Sequence, residues 1–194
     1  MSARDNILKA VAANKPPSIV QPDIDVKRTD PLPVGDAFEV AVKNLSAVCT
    51  KVASLQEALE MIQAKDGALT NRINLIDAEQ PLRDSIAKAD AHALQLVSKA
   101  YIRGSLGVAE NGAIWISEPD MGNRLLPFIT EHLVIVINTA TLVYNMHEAY
   151  QKIQVNEYGY GVFIAGPSKT ADIEQSLVIG AHGPRSLEVY LVGE

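Results

Sequence analysis

The sequence predicts an α/β domain of three layers built on a mainly parallel sheet. Three observations predict it. Segments of helical period alternate with short apolar runs, the runs are rich in Val and Ile without polar alternation, and glycine or proline punctuates the turns between them. Runs of four or five apolar residues with no polar face belong to strands covered on both sides. A chain of 194 residues, 47% of them apolar, is the size of one domain and can bury a core without disulfides.

The elements follow in chain order. Ile7, Leu8 and Val11 form an apolar stripe behind Ser2, a good N-cap residue, so a helix is expected near the amino terminus. Residues 14–33 then hold Pro16, Pro17, Pro22, Pro31 and Pro33. Proline fixes φ and removes backbone donors, so this stretch reads as an extended arm. Residues 1–33 are thus a helix and a proline-rich arm, and residues 34–194 the α/β domain. An arm of this kind lies across its own core or across a second copy, and the latter arrangement would make a homo-oligomer. Ser54-Leu55-Gln56-Glu57 matches a capping box, with Leu55, Leu59 and Ile62 on one helical face. Asn111-Gly112 stands between residues 107–110 and the run 113–116, which is the sequence of a type I′ hairpin turn. Residues 133–137 read as a strand. Asn145 and Glu148 resemble a second helix cap, followed by Met146, Ala149, Tyr150 and Ile153 on one face. Residues 162–165 read as a strand, Ile173, Leu177 and Val178 as a helix ended by Gly180, and residues 189–192 as the last strand. There is no internal repeat and no low-complexity tract.

Composition removes several function classes. The net charge is −6 and the basic residues are scattered, which argues against nucleic acid as a partner. One cysteine, Cys49, cannot form an internal disulfide or ligate an iron–sulfur cluster or zinc ion within this chain. Flanked by Val48 and Val52, it reads as a buried, inert thiol. His92, His132 and His147 have no nearby His or Cys, so no metal site is expected. Residues 1–14 lack the continuous apolar run of a signal peptide. The apolar run 133–137 is far short of the roughly 20 residues a membrane span needs. A cytoplasmic protein without a membrane partner is the expectation.

Three loops carry candidate chemistry. The strand ending at Ala165 enters Gly166-Pro167-Ser168-Lys169-Thr170, expected to open a helix whose first N–H groups would receive an anion, supported by the Ser168, Lys169 and Thr170 side chains. Asp172 and Glu174 favour the other reading, a plain helix cap, because acids in a first turn already satisfy the dipole. His182-Gly183-Pro184-Arg185 follows, with a titratable group and a fixed cation on a glycine–proline turn. An ordinary connection explains it equally. Glu110-Asn111-Gly112 is the third loop, and the hairpin explains Asn111 and Gly112 without any chemistry. By the usual rule for parallel sheets, the Gly166 and His182 loops are expected beyond the carboxyl ends of the strands.

Taken together, five segments resemble one family. They are residues 109–116, 124–127, 131–136, the run Gly166-Pro167-Ser168-Lys169-Thr170-Ala171-Asp172-Ile173-Glu174, and His182-Gly183-Pro184. Their order and spacing are similar to those of the lactate-utilisation protein C family, whose module is the LUD domain. The resemblance is strong over residues 109–192 and extends to the amino-terminal half only in layout. It implies a three-layer fold like that of glucosamine-phosphate isomerase, ribose-phosphate isomerase and the CoA transferases. It also implies a part in oxidising L-lactate to pyruvate beside partner proteins that carry iron–sulfur clusters, with no cofactor in this chain. The resemblance promotes Gly166, Ser168, Lys169, Thr170, Asp172, His182, Gly183 and Arg185 to candidate ligand-binding positions, with Asn111 and Gly112 beside them.

One departure matters. The family usually has Ala-Glu-Thr-Gly-Thr where this chain has Ala109-Glu110-Asn111-Gly112-Ala113. The Glu-Asn-Gly form looks like the catalytic-glutamate motif of CoA transferases, in which the carboxylate attacks an acyl-CoA carbonyl. The leading expectation is a non-redox or regulatory subunit of a lactate-oxidising system that binds a small anion at the three loops. The alternative is a stand-alone CoA-transferase-like or sugar-phosphate isomerase-like enzyme with Glu110 as its catalytic residue. A third reading is a binding module without turnover.

Overall fold

A computed structural model describes residues 2–20, 22, 32–153, 159–171 and 177–193. Helix α1 (Ala3–Ala13) opens at Ser2, where Ser2 and Asp5 form a reciprocal capping box. None of its residues is buried, and Ile7, Leu8 and Val11 face outward. Residues 14–20 that follow form neither helix nor strand.

From residue 34 the chain alternates: α2 (Val34–Asn44), β1 (Val48–Val52), α3 (Leu55–Asp66), β2 (Arg72–Asn74), α4 (Gln80–Ala87), α5 (Ala91–Leu94) and β3 (Lys99–Arg103). Then come β4 (Leu106–Val108), β5 (Ala113–Ser117), α6 (Glu118–Met121), α7 (Leu126–Ile129), β6 (His132–Asn138), β7 (Leu142–Val143) and α8 (Met146–Lys152). The last strands are β8 (Gly161–Ile164), β9 (Lys169–Ala171), β10 (Leu177–Ile179) and β11 (Ser186–Val192). Both expected caps are present. Ser54 accepts from the Glu57 N–H at the start of α3, and Asn145 accepts from the Glu148 N–H at the start of α8.

The main sheet has the order β1-β11-β6-β3-β2, and every neighbouring pair is parallel. Side chains alternate across it because successive strand residues point to opposite faces. Leu133, Ile135, Ile137, Leu187, Val189 and Leu191 enter one core with α2, α4 and the second sheet. Val134, Val136, Tyr190 and Val192 enter the other, under α3. Both β6 and β11 are therefore covered on two faces, as their uninterrupted apolar runs predict.

Two expectations change. The runs at β5 and β8 do not join the parallel sheet. They form a second sheet, β7-β4-β5-β8, in which β5 is antiparallel to both β4 and β8. Its outer face packs under α8 through Leu106, Val108, Trp115 and Val143, so β5 too is buried on both sides, and a period-free run cannot reveal which sheet it enters. Ile173 and Glu174 of the helix expected after Thr170 lie outside the described residues, and the flanking residues 169–171 and 177–179 form an antiparallel strand pair, β9 with β10. Its β-branched Thr170, Val178 and Ile179 suit a strand. The backbone of Ser168 is also tied down, donating to the Pro184 carbonyl at 2.9 Å and accepting from the Gly180 N–H at 3.0 Å.

One largely buried charged network lies between α3 and the sheet. The Lys99 ammonium lies 2.8 Å from Asp66 and 2.9 Å from Glu188, the Tyr101 hydroxyl donates to Asp66 at 2.8 Å, and Lys65 reaches Glu188 at 2.7 Å. Burial alone would raise the Asp66 and Glu188 carboxyls and lower Lys99. The hydrogen bonds outweigh it, so both carboxyls sit below their usual range and Lys99 above its own. Cys49 is buried as expected. Burial, then the Glu39 charge, pushes its thiol up to about 11.

Candidate site at the amino edge of the sheet

The three loops gather around the carboxyl end of α2. Gly112 packs so tightly on Ala41, Val42 and Leu45 that an added Cβ would come within 3.0 Å of their atoms. Gly166 is equally close to Leu45, at 2.9 Å, and the Lys169 ammonium donates to the Leu45 carbonyl at 2.5 Å. Both glycines are left-handed, with φ of +66° and +79°, so no other residue fits either position well. Gly183 lies against Ser168, with 3.1 Å from its ideal Cβ to the Ser168 Cβ. The motifs are far apart in sequence and form one continuous patch.

That patch is on the amino edge of the parallel sheet, opposite to the expectation. Arg185 immediately precedes β11, and its N–H bonds the carbonyl of Glu131, which immediately precedes β6. The reason is topological. Residues 182–185 lead into a main-sheet strand instead of leaving one, and residues 166–170 leave the second sheet, where β8 runs parallel to β4. An open depression of about 690 Å³ lies there, walled by Phe128, Glu131, His182, Gly183 and Arg185 with the exposed Leu96.

The side chains divide by task. Glu110 accepts the Met146 N–H at 2.9 Å, so its carboxylate sits on the first turn of α8, while its own N–H bonds the Tyr144 carbonyl. Asn111 accepts the Ala113 N–H at 3.0 Å. Gly112 donates to the Val108 carbonyl, so the reversal uses residues 109–112 and only Gly112 is left-handed. The hairpin is present, but a type I′ turn would need positive φ at Asn111 as well. Lys169 tops the negative end of α2, a favourable place for a cation. Thr170 makes only a long contact, 3.4 Å, to the Val178 carbonyl across its own hairpin. Asp172 lies outside the described residues.

Ser168, His182 and Arg185 remain available. No hydrogen bond joins the side chain of Ser168 or His182 to the described residues. Arg185 pairs with Glu131 at 2.8 Å, but both are open to water, at 67% and 44% side-chain exposure. An exposed pair is worth at most about 1 kcal/mol, so an incoming anion competes for that guanidinium. Without a helix at Ser168, the anion site loses the N-terminal amides expected for it. The groups left there for an anion to meet would be Arg185, His182 and the Ser168 hydroxyl.

The carboxyl edge holds polar groups with no motif to announce them. Asp120 accepts from Ser117 at 2.5 Å and from Ser105. Arg124 grips Glu118 through two bonds and lies over the Tyr160 ring. These residues adjoin a cleft of about 860 Å³. Recognising β3 as a strand would have flagged Ser105, because it follows a parallel strand's carboxyl end. Among the described residues no three His, Cys, Asp or Glu side chains group to hold a metal ion, and no helix is long and apolar enough to cross a membrane.

Comparison with known proteins adds a family. The profile of the LUD domain matches residues 29–192. Lactate utilization protein C of Bacillus pumilus is 32% identical over 114 residues, covering 56% of this chain and 45% of that protein. Its namesake in Deinococcus radiodurans is 32% identical over 129 residues, covering 64% of this chain and 57% of that protein. The chain thus spans about half the length of the curated relatives it matches. A crystal structure of a DUF162 family protein from Deinococcus radiodurans superposes with a TM-score of 0.64 at 21% identity, covering 84% of this chain and 100% of that one. At that identity the likeness speaks for the fold alone.

Proposed function

The chain belongs to the LUD domain family, and from that membership we propose that it is a non-redox subunit of a system oxidising L-lactate to pyruvate, holding a small anion at its amino edge. The observation that supports the pathway is the group of relatives named lactate utilization protein C. The non-redox role is supported by chemistry. Cys49, the chain's one cysteine, is buried with its thiol held protonated, so these 194 residues bring no thiolate to a cluster. Electrons then pass through iron–sulfur partner proteins. The anion is held by Arg185, with His182 and Ser168 beside it, where the competing Glu131 pair is exposed and weak. Glu110 is the less suitable centre, because its carboxylate already holds the α8 amide.

Deleting the gene abolishes growth on L-lactate as sole carbon source while growth on pyruvate continues. The wild-type gene restores it, and Arg185→Glu does not. Undiminished growth of the deletion strain on L-lactate would remove the proposal.

A further inference from the structure

A second cavity, of about 380 Å³, opens beside the carboxyl ends of the adjacent strands β3 and β6, on the outer face of the second sheet at the end of α8. It lies at the opposite edge of the main sheet from the three loops. Crevices at such strand ends are where parallel α/β sheets hold ligands. Ser105 follows β3, Thr141 follows β6, Trp115 comes from β5, and Lys152 ends α8, with Leu106 and Ile153 as apolar wall.

The hydrogen-bonding capacity left in this wall is specific. Ser105 gives its hydroxyl proton to the Asp120 carboxylate, and Thr141 gives its own to the Asn138 carbonyl at 2.8 Å. Both acceptors are groups that can only accept, so each hydroxyl oxygen presents lone pairs alone to the cavity. The donors are Lys152 and Trp115. Lys152 has no ion pair with the described residues. The Trp115 ring is 8% exposed, and its indole N–H has no hydrogen bond to the described residues. Among these residues no sealed side-chain nitrogen lacks a partner, so that N–H opens onto accessible space.

We propose that this cavity binds hydroxy-carboxylates. The carboxylate meets the Lys152 ammonium, the ligand's hydroxyl donates its one proton to the lone pairs of Thr141 with Ser105 beside it, and the carbon skeleton lies on Trp115, Leu106 and Ile153. A keto acid of the same skeleton keeps the carboxylate but turns a carbonyl oxygen toward those lone pairs. A site that hydrogen-bonds a ligand hydroxyl discriminates against the analogue without one. The choice of L-lactate and pyruvate as ligands rests on the proposed place in lactate oxidation, while the hydroxy-carboxylate preference is argued from the cavity's chemistry.

Trp115 is the single tryptophan, so its fluorescence reports on this cavity. The full chain is titrated with L-lactate, with D-gluconate as a longer hydroxy acid, and with pyruvate as the matched keto acid. A saturable change is expected with L-lactate, and pyruvate binds about tenfold more weakly, the worth of one hydrogen bond. Lys152→Met, at an exposed position, weakens lactate and pyruvate alike by about tenfold. Thr141→Val narrows the preference for lactate over pyruvate. Melting curves matching the wild type show that each variant is folded. No response to either hydroxy acid, equal affinity for lactate and pyruvate, or unchanged binding by folded Lys152→Met would overturn the proposal. A growth defect on lactate without the fluorescence response would leave the pathway role standing and remove the cavity. Saturable binding without a growth defect would do the reverse.

Discussion

Two residues concentrate strain or charge that their neighbours in sequence do not advertise. Ser46 has φ of +66°, the one left-handed non-glycine among the described residues. It closes α2, its N–H bonding the Lys43 carbonyl while the next N–H, of Ala47, bonds Val42. That is the Schellman arrangement, which favours glycine. Ser46→Gly is expected to stabilise the fold by about 1 kcal/mol, read as a higher urea midpoint. Lys99 is the other. Removing it in Lys99→Met takes the shared ammonium from Asp66 and Glu188, leaves them only the Tyr101 hydroxyl and Lys65, and costs about 3 kcal/mol. The pH dependence follows from the directions of the shifts. The lowered Asp66 and Glu188 contribute fully above the ordinary carboxylate range, and their contribution is lost as pH falls through their folded values. The raised Lys99 contributes fully below its ordinary value and fades only as pH rises through its folded value in strong alkali. Stability is therefore level across neutral pH and falls in acid. Denaturation curves at neutral pH and in mild acid should show the gap between wild type and Lys99→Met narrowing as the carboxylates protonate. None of this network was legible in sequence. Lys99 and Glu188 look like surface charges until distant Asp66 and Tyr101 are folded against them.

At the scale of elements, legibility followed the strength of local signals. The caps at Ser54 and Asn145 are local chemistry and appear where expected. So does α1 behind Ser2. Strand β3 escaped because Lys99 and Arg103 bound its short apolar centre. The hairpin β9–β10 escaped because Leu177 and Val178 fit a helical stripe as well as a strand. Contacts beyond the local pattern decide it, among them the ties of Ser168 to Pro184 and Gly180. Glu110 provides the test at this scale. If its main task is to hold the start of α8, Glu110→Ala lowers stability by about 0.5 to 1 kcal/mol and leaves growth on lactate intact. Loss of lactate growth by a stably folded Glu110→Ala protein would instead return Glu110 to the chemistry.

For the whole molecule, the alternation of helices with apolar runs predicted a mainly parallel sheet in layers, and the five-stranded sheet is that sheet. The second sheet was hidden because burial on both faces looks the same in either setting. The loops came together as one patch, yet on the amino edge instead of the carboxyl edge. Sequence order says which loop follows a strand, but not which sheet that strand has joined. The molecule consequently has two edges with different capacities. The amino edge bears Arg185, His182 and Ser168 on an open face, and the carboxyl edge bears the smaller cavity at Trp115.

The proposed place in lactate oxidation is tested most directly by measuring L-lactate-dependent reduction of an artificial electron acceptor in extracts of the deletion strain. The extract is expected to be inactive, and adding the purified chain restores the activity whereas adding Arg185→Glu does not. An extract that reduces the acceptor at the wild-type rate without the chain would contradict it.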